Sequence, residues 1–438
     1  MKKRDTTHTK AKASVRHLGC RLNQYEALAM EGRLKEAGFE MVPFGDQADL
    51  GIINTCTVTN EADAKSRNTI RRFIRSNPLA TVVVVGCYSQ VSANEVASIK
   101  GVDYIIGNHD KLNLLDYVKL GKTESPVIVR ERISRDDFSI GFVGESAFAQ
   151  RANLKIQDGC DFSCSFCIIP QARGRARSRS WSDLIEEARE MLQKGVREIV
   201  LTGVNLGTYR SDGHDFLSLI ERLSVLKGLD RLRISSIEPT TIPEELLALM
   251  AEPSHPLMPY LHVPMQSGTD KILKLMRRRY DLGEMKGFFM QAKQQIPDLC
   301  LGTDLMVGFP NENDDDFAQT CQSFMEMPFS YCHVFTYSER QGTAASRMVQ
   351  IPMEERRARS AHLRRLSASK RMSFHEAQEG REFRVLLENP KDDKHCGYTD
   401  HYLKVFLKEK HDELANKMVR VKVVEAFPEY VVGDLISE

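Results

Sequence analysis

The sequence that decides the fold of this chain is Cys160-Asp-Phe-Ser-Cys164-Ser-Phe-Cys167, which places three thiols within eight residues. The gaps of three and two residues let one short loop hold an iron–sulfur cluster through thiolate ligands. Three thiolates on a four-iron cluster leave one iron open to a cofactor or substrate, as catalytic metal sites keep an open position. The alternatives are a zinc knuckle, which normally takes a fourth Cys or His, and a disulfide-containing turn, which is typical of secreted proteins.

The composition is that of an ordinary globular protein. The chain has 438 residues, of which 42% are hydrophobic and 28% charged, and a formal net charge of +1, so two or three domains are expected and any RNA-binding surface must be local. No apolar stretch approaches the roughly 18 residues of a membrane span, and the basic residues 1–12 lack the apolar core of a signal peptide. We therefore expect a cytoplasmic protein with no membrane partner, in which the ten cysteines stay reduced unless they bind metal or are catalytic.

The first domain is predicted over residues 11–122. Three short apolar runs are each followed by a polar stretch of helical character, which predicts βαβ units and a mainly parallel sheet. These runs cover residues 15–18, 50–53 and 82–85. Cys20, Cys56 and Cys87 each follow a run by two or three residues, and the carboxyl ends of parallel strands share one edge of the sheet. The sequence therefore favours a second three-thiol cluster site, with simple packing of buried cysteines as the alternative.

The second domain is predicted over residues 146–375 and alternates strands with helices. The predicted strands are residues 154–157, 198–202, 231–235, 260–264, 301–307 and 331–337. Six such units indicate a partial barrel rather than a complete one of eight units. Ligands of such a fold are expected at the carboxyl ends of its strands.

The third domain is predicted over residues 378–438, where apolar and polar residues alternate as in half-buried antiparallel strands. The alternating segments are residues 383–387, 403–407 and 419–423. The predicted fold class is α/β, with an amino-terminal parallel α/β domain, a central partial (β/α)6 barrel and a small antiparallel carboxy-terminal β-barrel.

The cysteine motifs resemble those of the radical S-adenosylmethionine (SAM) methylthiotransferases over nearly the whole chain. The CxxxCxxC loop with Phe166 before its last cysteine is similar to the cluster loop of radical SAM enzymes, and residues 18–26, 54–59 and 86–88 resemble the amino-terminal motifs of the methylthiotransferases. The resemblance implies an enzyme with two 4Fe–4S clusters. The implied ligands are Cys160, Cys164 and Cys167 for the cluster that binds SAM, and Cys20, Cys56 and Cys87 for an auxiliary cluster.

In this family the first cluster cleaves SAM to a 5′-deoxyadenosyl radical, and the auxiliary cluster carries the sulfur that is methylated and inserted. The clusters and SAM carry the chemistry, so the resemblance implies no acid–base catalytic residue. Segments after the predicted strands resemble the SAM-binding positions of the family. The implied cofactor-binding residues are Phe166, Gly203, Asn205, Ser236, Glu238, Gln266 and Asp304. Taken singly, each is equally expected as a turn residue or a loop cap.

One position departs from the family pattern. Asn311 stands in Gly-Phe-Pro-Asn-Glu, where relatives usually have a second glycine. Asn tolerates the left-handed conformation better than most residues, so the turn is expected to persist. A close approach of a ligand to the backbone at this position is less expected.

Two basic regions are candidates for RNA binding. Arg173, Arg175, Arg177 and Arg179 resemble the RGRxRSR segment of the family, and arginine binds phosphate and stacks on bases; a solvated loop is the alternative. The carboxy-terminal barrel resembles the TRAM domain, an RNA-binding barrel. The implied RNA-binding residues of this barrel are Lys391 and Lys394.

The motifs favour one branch of the family, and the members of this branch modify tRNA. The segments that begin at Cys20 and Cys56, with Tyr337-Ser-Glu-Arg340, resemble the threonylcarbamoyladenosine branch. This implies a sulfur-containing group transferase that methylthiolates carbon 2 of N6-threonylcarbamoyladenosine, 3′ to the anticodon in the tRNA anticodon stem-loop, with two SAM per turnover. A reductase as electron donor and a sulfur source are implied as further partners.

The sequence leaves several questions open. The adenine C–H bond is unactivated, which explains the need for a carbon radical, and the threonylcarbamoyl carboxylate requires a cation that the sequence does not identify. The alternative substrates within the family are N6-isopentenyladenosine in tRNA and an aspartate of a ribosomal protein. The alternative from another class is a non-catalytic iron–sulfur protein that binds RNA.

Overall fold

The computed structural model describes residues 10–141, 151–390, 395–409 and 412–436. These residues form two compact units. The amino-terminal unit comprises residues 10–141, 158–161 and 167–179, and the carboxy-terminal unit comprises residues 151–157, 162–166, 180–390, 395–409 and 412–436. Among the described helices, we find none that is both long and apolar enough to cross a membrane.

The elements are numbered in chain order. The strands β1–β21 are Lys12–His17, Glu40–Met41, Leu50–Thr55, Thr81–Gly86, Tyr104–Ile106, Val127–Val129, Arg151–Lys155, Gln157–Asp158, Arg177–Ser178, Glu198–Thr202, Arg210–Ser211, His214–Asp215, Arg231–Ile234, Tyr260–His262, Cys300–Val307, Tyr331–Thr336, Glu382–Leu387, Cys396–Thr399, Lys404–Leu407, Met418–Ala426 and Val431–Leu435. The helices α1–α12 are Arg21–Glu36, Asn60–Ser76, Cys87–Val91, Ala93–Ala97, Ile169–Arg173, Trp181–Gln193, Phe216–Ser224, Leu246–Ala251, Asp270–Leu275, Leu282–Gln295, Asp314–Glu326 and Met353–Glu376. Short 3-10 helices cover Lys111–Asp116, Leu206–Thr208, Pro239–Thr241, Ala345–Arg347 and Asp412–Leu414.

The amino-terminal unit contains a six-stranded sheet of order β2-β1-β3-β4-β5-β6, with all neighbours parallel. Every residue of β3 and β4 is buried, because helices cover both faces of the sheet. Ile53 and Val84 pack with Phe73 of α2 on one face, while Ile52 and Val85 belong to the cluster on the other face. Burial on both faces explains why these strands read as continuous apolar runs. The predicted parallel sheet is confirmed.

The carboxy-terminal unit begins with six parallel strands. They form two three-stranded groups, β7-β10-β13 and β14-β15-β16. The Met258 N–H donates to the Leu232 carbonyl at 2.9 Å, and the Ile237 N–H donates to the His262 carbonyl at 3.0 Å, which joins β13 to β14. Helices α6, α7, α10 and α11 pack their apolar residues against these strands. The predicted partial barrel of six strands is therefore confirmed.

The last five strands form a closed barrel of order β17-β18-β19-β21-β20. All neighbours are antiparallel except β19 and β21, which are parallel. Val385, Val405, Val421 and Val431 are fully buried in its core. The predicted small β-barrel is confirmed. The predicted RNA-binding residues Lys391 and Lys394 lie outside the described residues.

The six parallel strands β7, β10, β13, β14, β15 and β16 are called the half-barrel below. Two of its buried arginines hold the closed barrel in place. Arg231 donates to the backbone carbonyls of Tyr398 at 2.7 Å and Arg384 at 2.9 Å. Its guanidinium also lies 2.7 Å from the Asp400 carboxylate. Arg233 donates to the Asp400 carbonyl at 3.0 Å, while its Nε donates to the carboxylate of Glu198 on β10 at 2.8 Å. The carboxy-terminal barrel is therefore part of one compact unit with the half-barrel rather than a flexibly attached domain.

Candidate active site

Cys20, Cys56 and Cys87 lie at the carboxyl ends of three neighbouring strands. Cys20 precedes α1 at the end of β1, Cys56 follows β3, and Cys87 begins α3 directly after β4. Strands β1, β3 and β4 are adjacent in the sheet, so the three thiols meet at one edge as the sequence predicted. Cys56 and Cys87 are buried and Cys20 is exposed.

Glycines allow the backbone to approach these thiols closely. Gly19 has φ +91°, and a Cβ atom at this position would lie 2.7 Å from the Cys56 Sγ. Gly86 has φ +98°, and a Cβ there would lie 2.4 Å from the Asn54 side-chain oxygen. Glycine is the residue that adopts such backbone angles without steric cost. Both glycines are therefore required by the geometry of the thiol edge.

The surroundings of the Cys56 thiol disfavour its ionised form. Burial raises its pKa to about 12, a backbone hydrogen bond with Val58 opposes this shift, and the nearby thiols of Cys87 and Cys20 add to it. Such a thiol stays protonated at neutral pH unless a bound metal displaces the proton, because metals bind the thiolate. Three thiols that converge at one sheet edge fit the auxiliary iron–sulfur cluster.

The second cysteine loop begins two residues after β8. The Cys160 N–H donates to the Gly174 carbonyl at 3.1 Å, and Gly159, with φ +71°, brings its backbone so close to Arg175 that a Cβ would lie 2.0 Å from the carbonyl oxygen. Further along the loop, the Ser165 hydroxyl donates to the Leu275 carbonyl at 2.8 Å. The backbone of the loop is thus fixed by hydrogen bonds and close contacts, which fits a rigid cluster-binding loop.

Arg278 contacts this loop directly, and the sequence analysis missed it. Its guanidinium donates to the Cys164 Sγ at 3.1 Å and to the Tyr280 hydroxyl at 2.9 Å, and it forms an ion pair with Glu238. The visible signal was the run of three arginines at 277–279, directly before Tyr280. Hydrogen bonds to the sulfur ligands of a cluster tune its reduction potential. Arg278 therefore connects a candidate cluster ligand to a candidate SAM-binding carboxylate.

We expect Arg278→Gln to slow the reductive cleavage of SAM by roughly 10–100-fold, the usual cost of losing a group that orients metal ligands. The substitution removes the cation that bonds both the Cys164 sulfur and the Glu238 carboxylate. The rate of 5′-deoxyadenosine formation and the KM for SAM measure the effect. Arg277→Gln is the matched control, because Arg277 is an exposed neighbour. An unchanged rate in Arg278→Gln with full iron content would contradict the assigned role.

Two of the predicted cofactor-binding residues form a tight turn after β10. A Cβ at Gly203 would lie 2.7 Å from Leu206, and the Gln157 side-chain oxygen accepts hydrogen bonds from the backbone of Val204 and Asn205 at 2.8 and 2.9 Å. Asn205 is 3% exposed. Within the described part of the chain, its Nδ2 has no hydrogen-bond partner. A buried unpaired donor needs an acceptor, and a bound SAM can provide one.

The other predicted cofactor-binding residues lie along the same edge of the half-barrel. Ser236 and Glu238 follow β13 and are half-buried. Gln266 has φ +71°, and its backbone N–H donates to the Asp304 carbonyl at 2.8 Å. The ring of Phe166 meets Phe309 edge to face at 6.4 Å. Their positions fit a ligand at the carboxyl ends of the strands.

Asp304 has two histidine partners that the sequence does not predict, whereas the backbone of Asn311 adopts the predicted conformation. The Asp304 carboxylate lies 2.8 Å from the His262 Nε2 and 3.4 Å from the His333 Nδ1. Burial alone would raise the pKa of Asp304, but the hydrogen bonds to these two histidines hold it well below its usual range. The pairing with two histidines was not foreseen. Asn311 has φ +65°, so the expected left-handed turn is present.

The structure corrects the predicted RNA-binding role of the basic run. Arg173 and Arg179 are buried, with Arg179 donating to the Tyr25 hydroxyl at 3.1 Å. The Arg177 side chain is 9% exposed and lies 3.7 Å from the Asp158 carboxylate. Only Arg175 is well exposed among these four arginines, at 55% of its side chain. The prediction is therefore wrong for Arg173 and Arg179, because a buried, hydrogen-bonded guanidinium cannot reach a phosphate.

A parallel half-barrel with a CxxxCxxC loop after its first strand defines a radical SAM enzyme. The profile of the radical SAM superfamily matches residues 154–324, and that of the uncharacterized protein family UPF0004 matches residues 12–107. Among solved structures, the radical SAM methyltransferase TsrM from Kitasatospora setae is similar with a TM-score of 0.55 at 15% identity, over 77% of each chain. That similarity supports the fold alone.

Relatives of established name match almost end to end. The threonylcarbamoyladenosine tRNA methylthiotransferase MtaB of Bacillus subtilis is 37% identical, over 96% of this chain and 95% of the relative. The protein of the same name from Aquifex aeolicus is 36% identical, over 89% and 98%. The tRNA-2-methylthio-N(6)-dimethylallyladenosine synthase of Cereibacter sphaeroides is 30% identical, over 97% and 99%. The chain therefore belongs to the radical SAM methylthiotransferase family, in its threonylcarbamoyladenosine tRNA branch.

Proposed function

We propose that the protein methylthiolates carbon 2 of N6-threonylcarbamoyladenosine in the anticodon stem-loop of tRNA and consumes two SAM per product. The observation that carries this proposal is the match of 37% identity over 95% of the length of a threonylcarbamoyladenosine tRNA methylthiotransferase. Two sets of three cysteines in the two expected places support it. The enzyme is a transferase that acts in tRNA modification.

The cofactors are two 4Fe–4S clusters and SAM. When bound, they supply a 5′-deoxyadenosyl radical, a methyl group and sulfur. Three thiols are proposed to hold each cluster: Cys20, Cys56 and Cys87 for the auxiliary one, and Cys160, Cys164 and Cys167 for the one that binds SAM. Residues 11–122, 146–375 and 378–438 are the proposed auxiliary-cluster, radical SAM and TRAM domains.

The other proposed role of this chain's side chains is to bind and orient SAM. Asn205 and Glu238 are proposed to position SAM, with Asn205 offering its unpaired buried amide and Glu238 held by Arg278. A reductase and a sulfur source are proposed as further partners, because the radical requires an electron and each turnover consumes one sulfur atom. The cytoplasm is the proposed place of action, since the tRNA substrate is there.

Mass spectrometry of tRNA nucleosides tests the proposed function. In a strain that lacks this gene, we expect 2-methylthio-N6-threonylcarbamoyladenosine to disappear and N6-threonylcarbamoyladenosine to accumulate. Plasmid-borne wild type should restore the modified nucleoside. Loss of 2-methylthio-N6-isopentenyladenosine instead would assign the other tRNA substrate, and an unchanged nucleoside profile would refute a role in tRNA modification.

The closed barrel offers a basic groove for RNA. Arg384, Lys417 and Arg420 line a groove of about 790 Å³ on its surface, and all three are exposed. Arg384 and Arg420 also form surface ion pairs with Asp400 and Glu382. We propose that this groove contacts tRNA phosphates. Arg175, Lys391 and Lys394 are each proposed as a separate phosphate contact. The groove replaces the buried arginines as the main candidate RNA-binding surface.

Replacing Arg384, Lys417 and Arg420 together by Gln should weaken tRNA binding and flatten its salt dependence. Each lost phosphate contact lowers the magnitude of the slope of log K against log salt by about 0.7–0.9, so the loss of three contacts should lower it by about 2–3. Titrating an anticodon stem-loop at several salt concentrations measures this. The control is Lys286→Gln on α10, an exposed lysine of the half-barrel. Equal slopes for the triple variant and wild type would exclude this groove from the RNA interface.

A further inference from the structure

Arg173 is buried and has hydrogen-bond partners on two sides. Its side chain is 1% exposed. On one side, it donates to the Asn23 side-chain oxygen at 2.6 Å and to the Glu26 carboxylate at 3.0 Å. On the other side, it donates to the Asp158 carboxylate at 3.0 Å. Asn23 and Glu26 lie three and six residues after Cys20, and Asp158 lies two residues before Cys160.

A second buried cation extends this network to Cys87. The Lys111 ammonium lies 2.5 Å from the Glu26 carboxylate and donates to the Asn108 side-chain oxygen at 2.7 Å. The Asn108 amide in turn contacts the Cys87 Sγ at 3.5 Å. Glu26, Lys111, Arg173 and Asp158 are each at most 4% exposed. Buried ion pairs contribute little net stability, so stability alone does not account for this arrangement.

Both cysteine loops are attached to this network through their backbones. The Asn23 amide donates to the carbonyls of Leu18 at 2.7 Å and Thr55 at 3.0 Å, which ties the Cys20 and Cys56 loops together. On the other side, the Cys160 N–H donates to the carbonyl of Gly174, the residue directly after Arg173. A displacement of Arg173 therefore changes the placement of both cysteine loops.

We propose that Arg173 is a positioning residue that couples the two cluster loops. It holds the Cys20 loop through Asn23 and Glu26 and the Cys160 loop through Asp158, so that sulfur is presented where the substrate radical forms. This inference rests on the proposed function, which needs both events at one adenine carbon. Misplacement by about 1 Å can cost about 100-fold in rate, whereas generation of the radical needs the Cys160 loop only.

The test compares Arg173→Lys and Arg173→Gln with Lys286→Gln, an exposed control on α10. Lysine keeps the buried charge but cannot reach both sides with one ammonium group. For Arg173→Lys, we expect wild-type iron content and an approximately tenfold rise in 5′-deoxyadenosine formed per methylthiolated nucleoside, within the range for residues that orient metal ligands. Arg173→Gln removes the cation shared by the two sides and leaves Glu26 with Lys111 and Asp158 with Arg177. It should show the same uncoupling or lose iron from both sites.

A second readout needs no tRNA and no turnover. In protein with both clusters reduced, the magnetic interaction between them shapes the EPR spectrum, and we expect this interaction to change in Arg173→Lys but not in Lys286→Gln. An unchanged product ratio with an unchanged EPR spectrum would overturn the inference. An equal fall of both products would also overturn it, because a merely structural role predicts that result. Failure of wild type to modify the tRNA would instead refute the proposed function.

Discussion

Replacing Cys20, Cys56 and Cys87 together by Ala should abolish methylthiolated nucleoside while leaving the cleavage of SAM to 5′-deoxyadenosine in place. These thiols lie at the sheet edge of the amino-terminal unit. The proposed contact of Arg278 with Cys164 involves none of these thiols. Losing the auxiliary cluster should therefore remove the sulfur and not the radical. Liquid chromatography of both products from one reaction measures the two outcomes together.

The matched control is Cys321→Ala, because Cys321 is a half-buried thiol on α11 that no cluster is proposed to use. It should retain both products. The division of roles would be wrong if the triple variant methylthiolated tRNA. It would also be wrong if a correctly folded triple variant failed to cleave SAM.

Replacing Cys160, Cys164 and Cys167 by Ala should remove half of the iron and all reductive cleavage of SAM. Wild type reconstituted without oxygen should hold about eight irons, the content of two four-iron clusters, and this variant about four. Methyl transfer to sulfide is polar chemistry without a radical, so part of it should persist if SAM still binds. Iron analysis and 5′-deoxyadenosine assays measure the effects.

Two buried cysteines outside the two three-cysteine sets serve as controls for the iron content. Cys300 and Cys332 are buried, and burial raises the pKa of Cys300 to about 11 and that of Cys332 to about 12. Neither is proposed as a ligand, so changing either to Ala should leave about eight irons. Tightly bound zinc in place of iron at either three-cysteine site would refute the cluster assignment.

The sequence predicted the architecture because parallel strands leave a strong local signal. Strands β3 and β4 are buried on both faces, so they appear as continuous apolar runs whose ends can be found by inspection. Once the ends are known, the parallel topology places Cys56 and Cys87 at one edge without further information. The same logic located the six strands of the half-barrel.

The arginines could not be assigned in this way. A run of alternating arginines is the same in sequence whether it faces solvent or the interior, and the difference depends on partners far along the chain. Glu26, which pairs with Arg173, is 147 residues away, and Glu238, which pairs with Arg278, is 40 residues away. Neither pairing leaves a local periodic pattern. Burial of charge is therefore the part of this site that required the structure.

Arg231 and Arg233 have a consequence for how faulty copies of this protein are handled in the cell. A chain that stops before β17 lacks the carbonyls of Arg384, Tyr398 and Asp400, to which these two buried arginines donate. Both arginines would keep Glu198 on β10. Each lost hydrogen bond from a charged donor costs about 1.5–3 kcal/mol, so together they are a large share of the 5–15 kcal/mol that stabilises a typical domain. A late nonsense mutation should therefore yield a product that proteases remove. It should not yield a stable enzyme that merely has a lower affinity for tRNA.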